Sequence, residues 1–162
     1  MKIYKDLSIL NKHKNCVVAI GNFDGLHLGH QKVISQASKK AKKTNLPFGI
    51  ITFEPIPTMF FNSKIKNHRI NKFQQKVDQL KKLSLDFMIN INFNKNFSKL
   101  SAEKFIKKII FKKTNCKYLY VSNNFKFGFK RRGNIQTLKK YSNLYNYRII
   151  VTNPFRKKNR VI

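Results

Sequence analysis

The fold of this chain is decided by Val17-Val-Ala-Ile-Gly-Asn-Phe-Asp-Gly-Leu-His-Leu-Gly-His-Gln31. Its first four residues, 17–20, form a short apolar run rich in β-branched side chains, which is typical of a strand buried on both faces. Gly21, Gly25 and Gly29 follow, and glycine allows sharp turns and a close approach to a ligand. The sequence therefore predicts a buried strand that runs directly into a glycine-rich turn.

A helix is predicted directly after this turn. Apolar residues recur there at the spacing of one helix face, namely Val33, Ile34, Ala37 and Ala41. The order of strand, glycine-rich turn and helix is the usual layout of a site for nucleotide phosphates. The free N–H groups and the positive dipole end of the helix both favour an anion at this point.

The turn also carries polar side chains that suit phosphate chemistry. His27 and His30 lie three residues apart, so both rings can point to the same side of the first helical turn and reach bound phosphates. Asn22 and Asp24 add an amide and a carboxylate. Two other interpretations stay open: the histidines could be half of a transition-metal site, although no third soft ligand is nearby, or a hydrogen-bonded structural pair.

The run Gly21–Gln31 resembles the signature of the bacterial FAD synthetase family, and its His-Leu-Gly-His segment resembles the His-x-Gly-His motif of the wider nucleotidyltransferase superfamily. In the family, an N-terminal FMN adenylyltransferase domain usually precedes a riboflavin kinase domain. The resemblance implies adenylyl transfer from ATP to FMN, giving FAD and pyrophosphate. It implies catalytic roles for three residues, which are His27, His30 and Asn22. It implies ATP and phosphate binding by the others, which are Gly21, Phe23, Asp24, Gly25 and Gly29.

Mg²⁺ is expected with ATP, held by phosphate oxygens and water more than by protein ligands. Asp24 could either orient the loop or bind the nucleotide.

A second motif follows the next apolar run. Thr52-Phe-Glu-Pro-Ile-Pro57 resembles the family's Thr-Phe-Glu-Pro-His-Pro, with Ile56 in place of the histidine. The resemblance implies flavin binding by Pro55 and Pro57, and the prolines predict a rigid extended turn. Shortly after come Phe60 and Phe61, which could stack on a flat ring or anchor the loop.

A third motif lies in Ser122–Asn134, which resembles the family's Gly-x-Asp/Asn-Phe-x-Phe-Gly-x-x-Arg-x-Gly-Asp, with Ser122 for Gly and Asn134 for Asp. Asn124 could reach phosphate or a metal-bound water. Arg131 is a candidate anion contact, with a solvated surface arginine as the alternative. Phe125 and Phe127 could form the wall of a flavin site or pack inside the loop.

Strands and helices alternate along the rest of the sequence, which predicts an α/β fold with a doubly wound parallel sheet of the Rossmann-like nucleotidyltransferase type. The predicted strands are about 16–20, 48–53, 86–91, 117–121 and 148–151. The predicted helices are 28–44, 71–83, one that opens at Ser101, and 135–145. The lead-in 2–14 is expected to be peripheral.

Composition indicates one globular domain, 1–162, with 41% hydrophobic residues. The net charge of +29 would suit nucleic acid, but the lysines are dispersed among Asn, Ile and Phe, all with AT-rich codons. We therefore expect no specific nucleic-acid partner.

The sequence contains no apolar run of 18 residues and no apolar core of a signal peptide. We therefore expect neither a membrane span nor export, and we expect a cytoplasmic location. Cys16 and Cys116 are expected to be free, buried thiols.

The sequence ends before a Ser-Ser-Thr-x-Ile-Arg motif that the family normally has next, and no riboflavin kinase domain follows. The expectation is a single FMN adenylyltransferase domain shortened before that motif, either a fragment or a naturally short protein. Two other functions stay open: a nucleotidyltransferase with another acceptor, and a non-catalytic binding remnant. The oligomeric state is not readable from the sequence.

Overall fold

The computed structural model describes residues 1–62 and 72–153, together with the backbone of 156–157 and 160–161. The strands of the main sheet are β1 Lys2–Tyr4, β2 Val17–Ile20, β3 Phe48–Glu54, β4 Phe87–Asn92, β5 Tyr118–Ser122 and β6 Arg148–Thr152. The helices are α1 Leu28–Thr44, α2 Pro57–Phe61, α3 Lys72–Lys81, α4 Lys95–Ser98, α5 Ala102–Phe105 and α6 Ile135–Lys140. Two further short strands, Arg156–Lys157 and Arg160–Val161, pair antiparallel.

The main sheet confirms the predicted doubly wound topology. Its strand order is β1-β4-β3-β2-β5-β6, and every neighbouring pair is parallel. The chain builds outward from β2 through β3 to β4, then returns to place β5 on the other side of β2. Strand order therefore reverses between β2 and β5, and in open α/β sheets ligands bind at the carboxyl edge of such a reversal.

The strand β2 lies at the centre of the sheet and is buried on both faces. Val18 and Ile20 belong to one apolar cluster, which also contains the helical segment after Ser101. Val17 and Ala19 belong to the other, which contains the buried faces of α1 and α3. Helices thus cover both faces of the sheet, which explains why this strand is apolar at every position.

The helix α1 has the predicted bounds. It ends because Asn45 adopts a left-handed conformation (φ 54°) and its N–H donates to the carbonyl groups of Ala41 and Lys42. Asparagine tolerates this conformation better than most residues. Asn45, two residues before Pro47, is therefore the residue that stops the helix.

The lead-in is not peripheral, so that prediction was wrong. Lys2–Tyr4 adds β1 to the sheet edge beside β4. The burial is carried by Tyr4 and Ile9, which are 4% and 8% exposed. The Tyr4 hydroxyl pairs with Nδ1 of His13 at 2.6 Å, and the His13 ring stacks on Phe87. A three-residue strand gives too short an alternation for sequence periodicity to reveal.

Two helices differ from their predicted length. The helix opened by Ser101, whose hydroxyl accepts from the Lys104 N–H, continues in π geometry through Ile106–Thr114. The last helix ends at Lys140, not at Tyr145. The chain turns there to bury Tyr147, whose hydroxyl donates to the Leu138 carbonyl.

The helix α3 ends at Lys81 and not at the predicted Leu83, and the predicted first residue, Asn71, lies outside the described residues.

Cys16 and Cys116 are buried and free, as expected. Burial raises the pKa of the Cys116 thiol to about 12, so it stays protonated. Within residues 1–62 and 72–153, no helix is long and apolar enough to span a membrane.

Candidate active site

A cavity of about 640 Å³ opens at the carboxyl edge of the sheet, where strand order reverses. Its size lies in the range of about 300–1,000 Å³ typical of small-molecule sites. The loops that follow β2, β3, β4 and β5 all contribute to its wall. Of the sequence-predicted site residues, it brings together Gly21, Asn22, Phe23, His30, Pro57, Asn124, Phe125, Phe127 and Arg131.

The first wall is the loop after β2. Its sharp turn is made by Phe23 (φ 49°), Gly25 (φ 71°) and Leu26 (φ 41°), all left-handed. The interpretation that Gly21, Gly25 and Gly29 provide the turn is therefore right for Gly25 alone. Gly21 is instead packed under the Phe23 ring: a Cβ atom at Gly21 would lie 3.2 Å from the Cζ atom of Phe23. Two non-glycine residues in this region are strained and must be held by their surroundings.

The two histidines meet face to face at the start of α1. Their ring centroids are 3.7 Å apart with 25° between the planes. Nδ1 of His27 accepts a hydrogen bond from the Gly29 N–H at 3.2 Å, so His27 caps the helix. His30 faces the cavity, and the Phe23 ring meets it edge-on at 5.4 Å.

His30 is held by packing. Its Nδ1 atom is buried and has no hydrogen-bond partner in the described part of the chain. Burial lowers the pKa of His30 to about 4, with a smaller lowering by His27 and an opposing effect of Asp24. The ring is therefore neutral at pH 7 and offers hydrogen bonding, not a full positive charge.

The second wall is the loop after β5. Gly128 has φ 76°, and a Cβ there would lie 2.8 Å from the Ala102 backbone. The N–H of Phe129 donates to the Leu100 carbonyl at 2.8 Å, which ties the loop to the start of α5. Within the loop, the Ser122 hydroxyl donates to Oδ1 of Asn124 at 2.8 Å. That bond leaves the amide N–H₂ group of Asn124 available as a donor.

Basic side chains concentrate on this second loop. Arg131 lines the cavity together with Lys126 and Lys130. None of the cavity-lining residues that the structure describes is acidic. The cavity therefore presents a positive rim opposite the loop that carries His30, which suits an anionic ligand.

Aromatic side chains make up much of the rest of the lining, and two of them lie on the same second loop. Phe125 and Phe127 stack at 5.4 Å with 13° between their planes, and Phe127 is 6% exposed. The other cavity phenylalanines are Phe53, Phe61, Phe93, Phe97 and Phe105. Phe61 is 71% exposed at the mouth, whereas Phe60 is partly buried against Phe93. Phe60 thus has the geometry of an anchor and Phe61 that of a ring open to stacking.

Five predicted residues lie outside the cavity lining. Asp24 and Gly25 line a smaller cleft with Lys76 on α3. His27 and Gly29 stand behind His30 at the helix start. Pro55 follows β3 but does not line the cavity, whereas Pro57 does, as the first residue of α2. The sequence also predicts a basic loop over 59–69; its first residues, 59–61, belong instead to α2, and 63–69 lie outside the described residues.

Two departures from the family motif have a structural account. Ile56 is 7% exposed and does not line the cavity. Asn134 caps α6: its side chain accepts from the Thr137 N–H while Thr137 Oγ1 accepts from the Asn134 N–H. Asparagine and aspartate cap helices about equally well, so this substitution preserves the local structure.

Sequence reasoning missed Lys126, Lys130 and Lys76. The first two lie within the third motif, so their proximity to Asn124 and Arg131 was a usable signal. Lys76 gave no signal, because it is one of 35 basic residues dispersed along the chain.

Residues 9–162 match the FAD synthetase family. The chain belongs to the FAD synthetase family. It is 41% identical over 162 residues to the bifunctional riboflavin kinase/FMN adenylyltransferase of Buchnera aphidicola subsp. Schizaphis graminum, covering 99% of this chain and 52% of that protein. The chain thus spans about half the length of the curated FAD synthetase relatives that it matches.

Solved structures show the same fold. The crystal structure titled as a macrolide-efflux protein from Streptococcus pneumoniae superimposes with a TM-score of 0.78 at 23% identity, covering 99% of this chain and 52% of that chain. Pantoate-beta-alanine ligase from Francisella tularensis gives a TM-score of 0.59 at 20% identity, with 98% of this chain and 69% of that chain covered. At these identities the similarity concerns the fold.

Proposed function

We propose that this chain catalyses adenylyl transfer from ATP to FMN, giving FAD and pyrophosphate. The observation that carries the proposal is one cavity with two unlike walls: a polar, basic end and a phenylalanine-lined end. ATP and FMN are both anionic, and FMN brings a large flat ring. Membership of the FAD synthetase family supports the same activity.

The reaction needs positioning more than a covalent nucleophile. A phosphate oxygen of FMN forms a bond to the α-phosphorus of ATP, and the bond from that phosphorus to the bridging oxygen breaks. Pyrophosphate leaves with the bonding electron pair. The FMN phosphate is already an anion, so no general base is required, and catalysis depends on alignment and charge stabilisation.

Donors at the two loops supply that stabilisation. His30, neutral at pH 7 because its pKa is lowered, can donate or accept a hydrogen bond through its ring. His27, stacked behind it, fixes the ring plane and caps α1. Asn22, Asn124 and Arg131 are assigned to phosphate contacts from the opposite sides of the cavity.

The residues present fit Mg²⁺ that arrives with ATP. Oxygen-bearing side chains line the cavity, whereas no cluster of three His, Cys, Asp or Glu that could hold a metal occurs in residues 1–62 and 72–153. Mg²⁺ usually keeps several waters and binds through substrate phosphates. It supplies charge neutralisation on the phosphates, and Asn22 and Asn124 would contact its waters.

Flavin binding is assigned to the aromatic end. Pro57, Phe125 and Phe127 line that end, and Phe61 stands exposed at its mouth. A flat ring against such side chains gains from apolar burial and offset stacking. Pro55 does not line the cavity, so its proposed role is to direct the chain after β3 and not to contact the flavin.

The direct test is to incubate the purified chain with ATP, Mg²⁺ and FMN and to measure FAD by chromatography. A chain extended by a Ser-Ser-Thr-x-Ile-Arg segment is assayed beside it, with pantetheine phosphate and nicotinate mononucleotide as alternative acceptors. FAD from either chain, lost in His30→Ala, supports the proposal. Adenylylation of another acceptor alone, or nucleotide binding without any transfer by either folded chain, contradicts it.

A further inference from the structure

A lysine is buried directly beneath the loop that follows β2. Lys76, on α3, is 4% exposed. Its Nζ donates to the carbonyl oxygen of Asn22 at 2.9 Å and to Oγ1 of Thr52 at 3.1 Å. Thr52, on β3 and fully buried, donates from the same hydroxyl to the Asn22 carbonyl at 3.0 Å. The three groups form a closed triangle.

An ammonium group is costly to bury, and lysine is among the residues least often buried. Lys81, at the end of the same helix, is by contrast exposed. A buried position for Lys76 therefore indicates a role that an apolar side chain could not fill. Its ammonium group donates a hydrogen bond to the Asn22 carbonyl group, which belongs to a loop of the candidate site.

That carbonyl precedes the strained part of the loop. The peptide of Asn22 leads into Phe23, whose φ of 49° and ψ of 33° are left-handed. Such a conformation in a bulky residue persists only when neighbouring groups impose it. Two hydrogen bonds on the Asn22 carbonyl, one of them charge-assisted, fix the orientation of this peptide. In a trans peptide the Phe23 N–H points away from that carbonyl, hence away from Lys76.

The held segment also supports the histidines. Asn22, Phe23 and His30 line the cavity, and the Phe23 ring contacts His30 edge-on at 5.4 Å. A change in the Asn22–Phe23 peptide would therefore move His30 as well.

We propose that Lys76 is a positioning residue for the ATP phosphates: its ammonium group holds the Asn22 carbonyl, and so holds the loop after β2 in its phosphate-binding shape. The inference rests on the proposed function for its substrate. Lys76 itself is assigned no contact with the reacting atoms.

The test compares Lys76→Met with Lys81→Met, which removes the same charge from an exposed position of the same helix. We expect Lys76→Met to lower kcat/KM for ATP by roughly 10²-fold, the scale of a misplaced reacting group. The dissociation constant of a non-hydrolysable ATP analogue, measured by calorimetry without FMN, should rise, while that of FMN, measured by flavin fluorescence, should not. Lys76→Arg should restore part of the ATP affinity. Lys81→Met should match the unchanged chain.

A merely structural role would weaken ATP and FMN binding equally, and that result overturns the proposal. Equal ATP-analogue affinity in folded Lys76→Met and Lys81→Met also overturns it. If Lys76→Met does not fold, Lys76→Gln, which removes the ammonium group from the Asn22 carbonyl but keeps a polar side chain, decides: selectively weakened ATP binding supports the proposal and unchanged binding overturns it. Since analogue binding needs no turnover, absence of FAD from both the unchanged and the extended chain would contradict the proposed function separately.

Discussion

The imidazole rings of His27 and His30 stack with their centroids 3.7 Å apart. Two charged rings at this distance would repel each other, which disfavours a proton on His30. Burial, and then His27, lowers the pKa of His30 to about 4. The helix start therefore carries a rigid pair in which the cavity-facing ring is neutral.

We expect His30→Ala to reduce adenylyl transfer by roughly 10²-fold or more, the effect of losing one preorganised stabilising group. The measurement is FAD formation at saturating ATP and FMN. Ser35→Ala, at an exposed position of the same helix, is the matched control and should retain full turnover. Near-normal turnover in a folded His30→Ala chain would remove His30 from the reaction.

The lowered pKa of His30 has a consequence for stability. Between pH 6.5 and about 4 the unfolded chain binds a proton at this residue and the folded chain does not. The free energy of unfolding should therefore fall as pH drops through this window. His30→Gln should flatten that dependence in urea titrations from pH 7.5 to 4. The lowered pKa of His13 acts equally in both chains and cancels in the comparison. Parallel curves would contradict the assignment.

Gly25 and Gly128 differ both in what an added Cβ would meet and in backbone strain. The ψ angle is −2° at Gly25 and 178° at Gly128, which places Gly128 in a region that is almost restricted to glycine. Both have φ above 70°, but a Cβ at Gly25 meets nothing within 4 Å, whereas one at Gly128 lies 2.8 Å from the Ala102 backbone. Gly25→Ala should lower the free energy of unfolding by about 1 kcal/mol through strain alone. Gly128→Ala should lower it by more, about 2–4 kcal/mol. Equal losses in denaturant titrations would mean that the second loop shifts away from α5 easily.

Asn134 caps α6 and closes the loop that carries Arg131. Asn134→Ala should reduce stability by about 1 kcal/mol. Asn134→Asp, which restores the family residue, should preserve stability because both side chains accept from the Thr137 N–H. Urea midpoints of the three chains measure this directly. If Asn134→Asp lost as much stability as Asn134→Ala, the amide group of Asn134 would itself be required for the cap.

The sheet and the meeting of the loops could be predicted because both follow from strong, local signals. Apolar runs such as 17–20 identify buried parallel strands, and parallel strands place their carboxyl ends at one edge. Asn22 and Asn124, which the sequence analysis associates with phosphate chemistry, both line the cavity. The motif spacing carried no information on Asp24 and Pro55, because which side of a loop a residue faces depends on backbone torsions that residue types alone do not determine.

The features that escaped prediction depend on long-range contacts. The short strand β1 exists because β4 offers a free edge, and Lys76 is buried because the Asn22 carbonyl lies above it. A left-handed Phe23 is disfavoured by its own residue type and is explained only by the groups around it. Local propensity could not have revealed any of the three.

The pairing of β2 with β5 joins residues about a hundred positions apart, as Val17 opposite Tyr118 shows. Two of the loops that line the cavity come one from each of these strands, so the complete binding site exists only when this distant pairing has closed. Such non-local contacts slow folding. A ligand that bridges the two loops would bind the closed state alone and would add to its stability in proportion to the logarithm of ligand concentration. Nucleotide binding should thus report on completed folding of the central sheet, not only on the presence of the histidines.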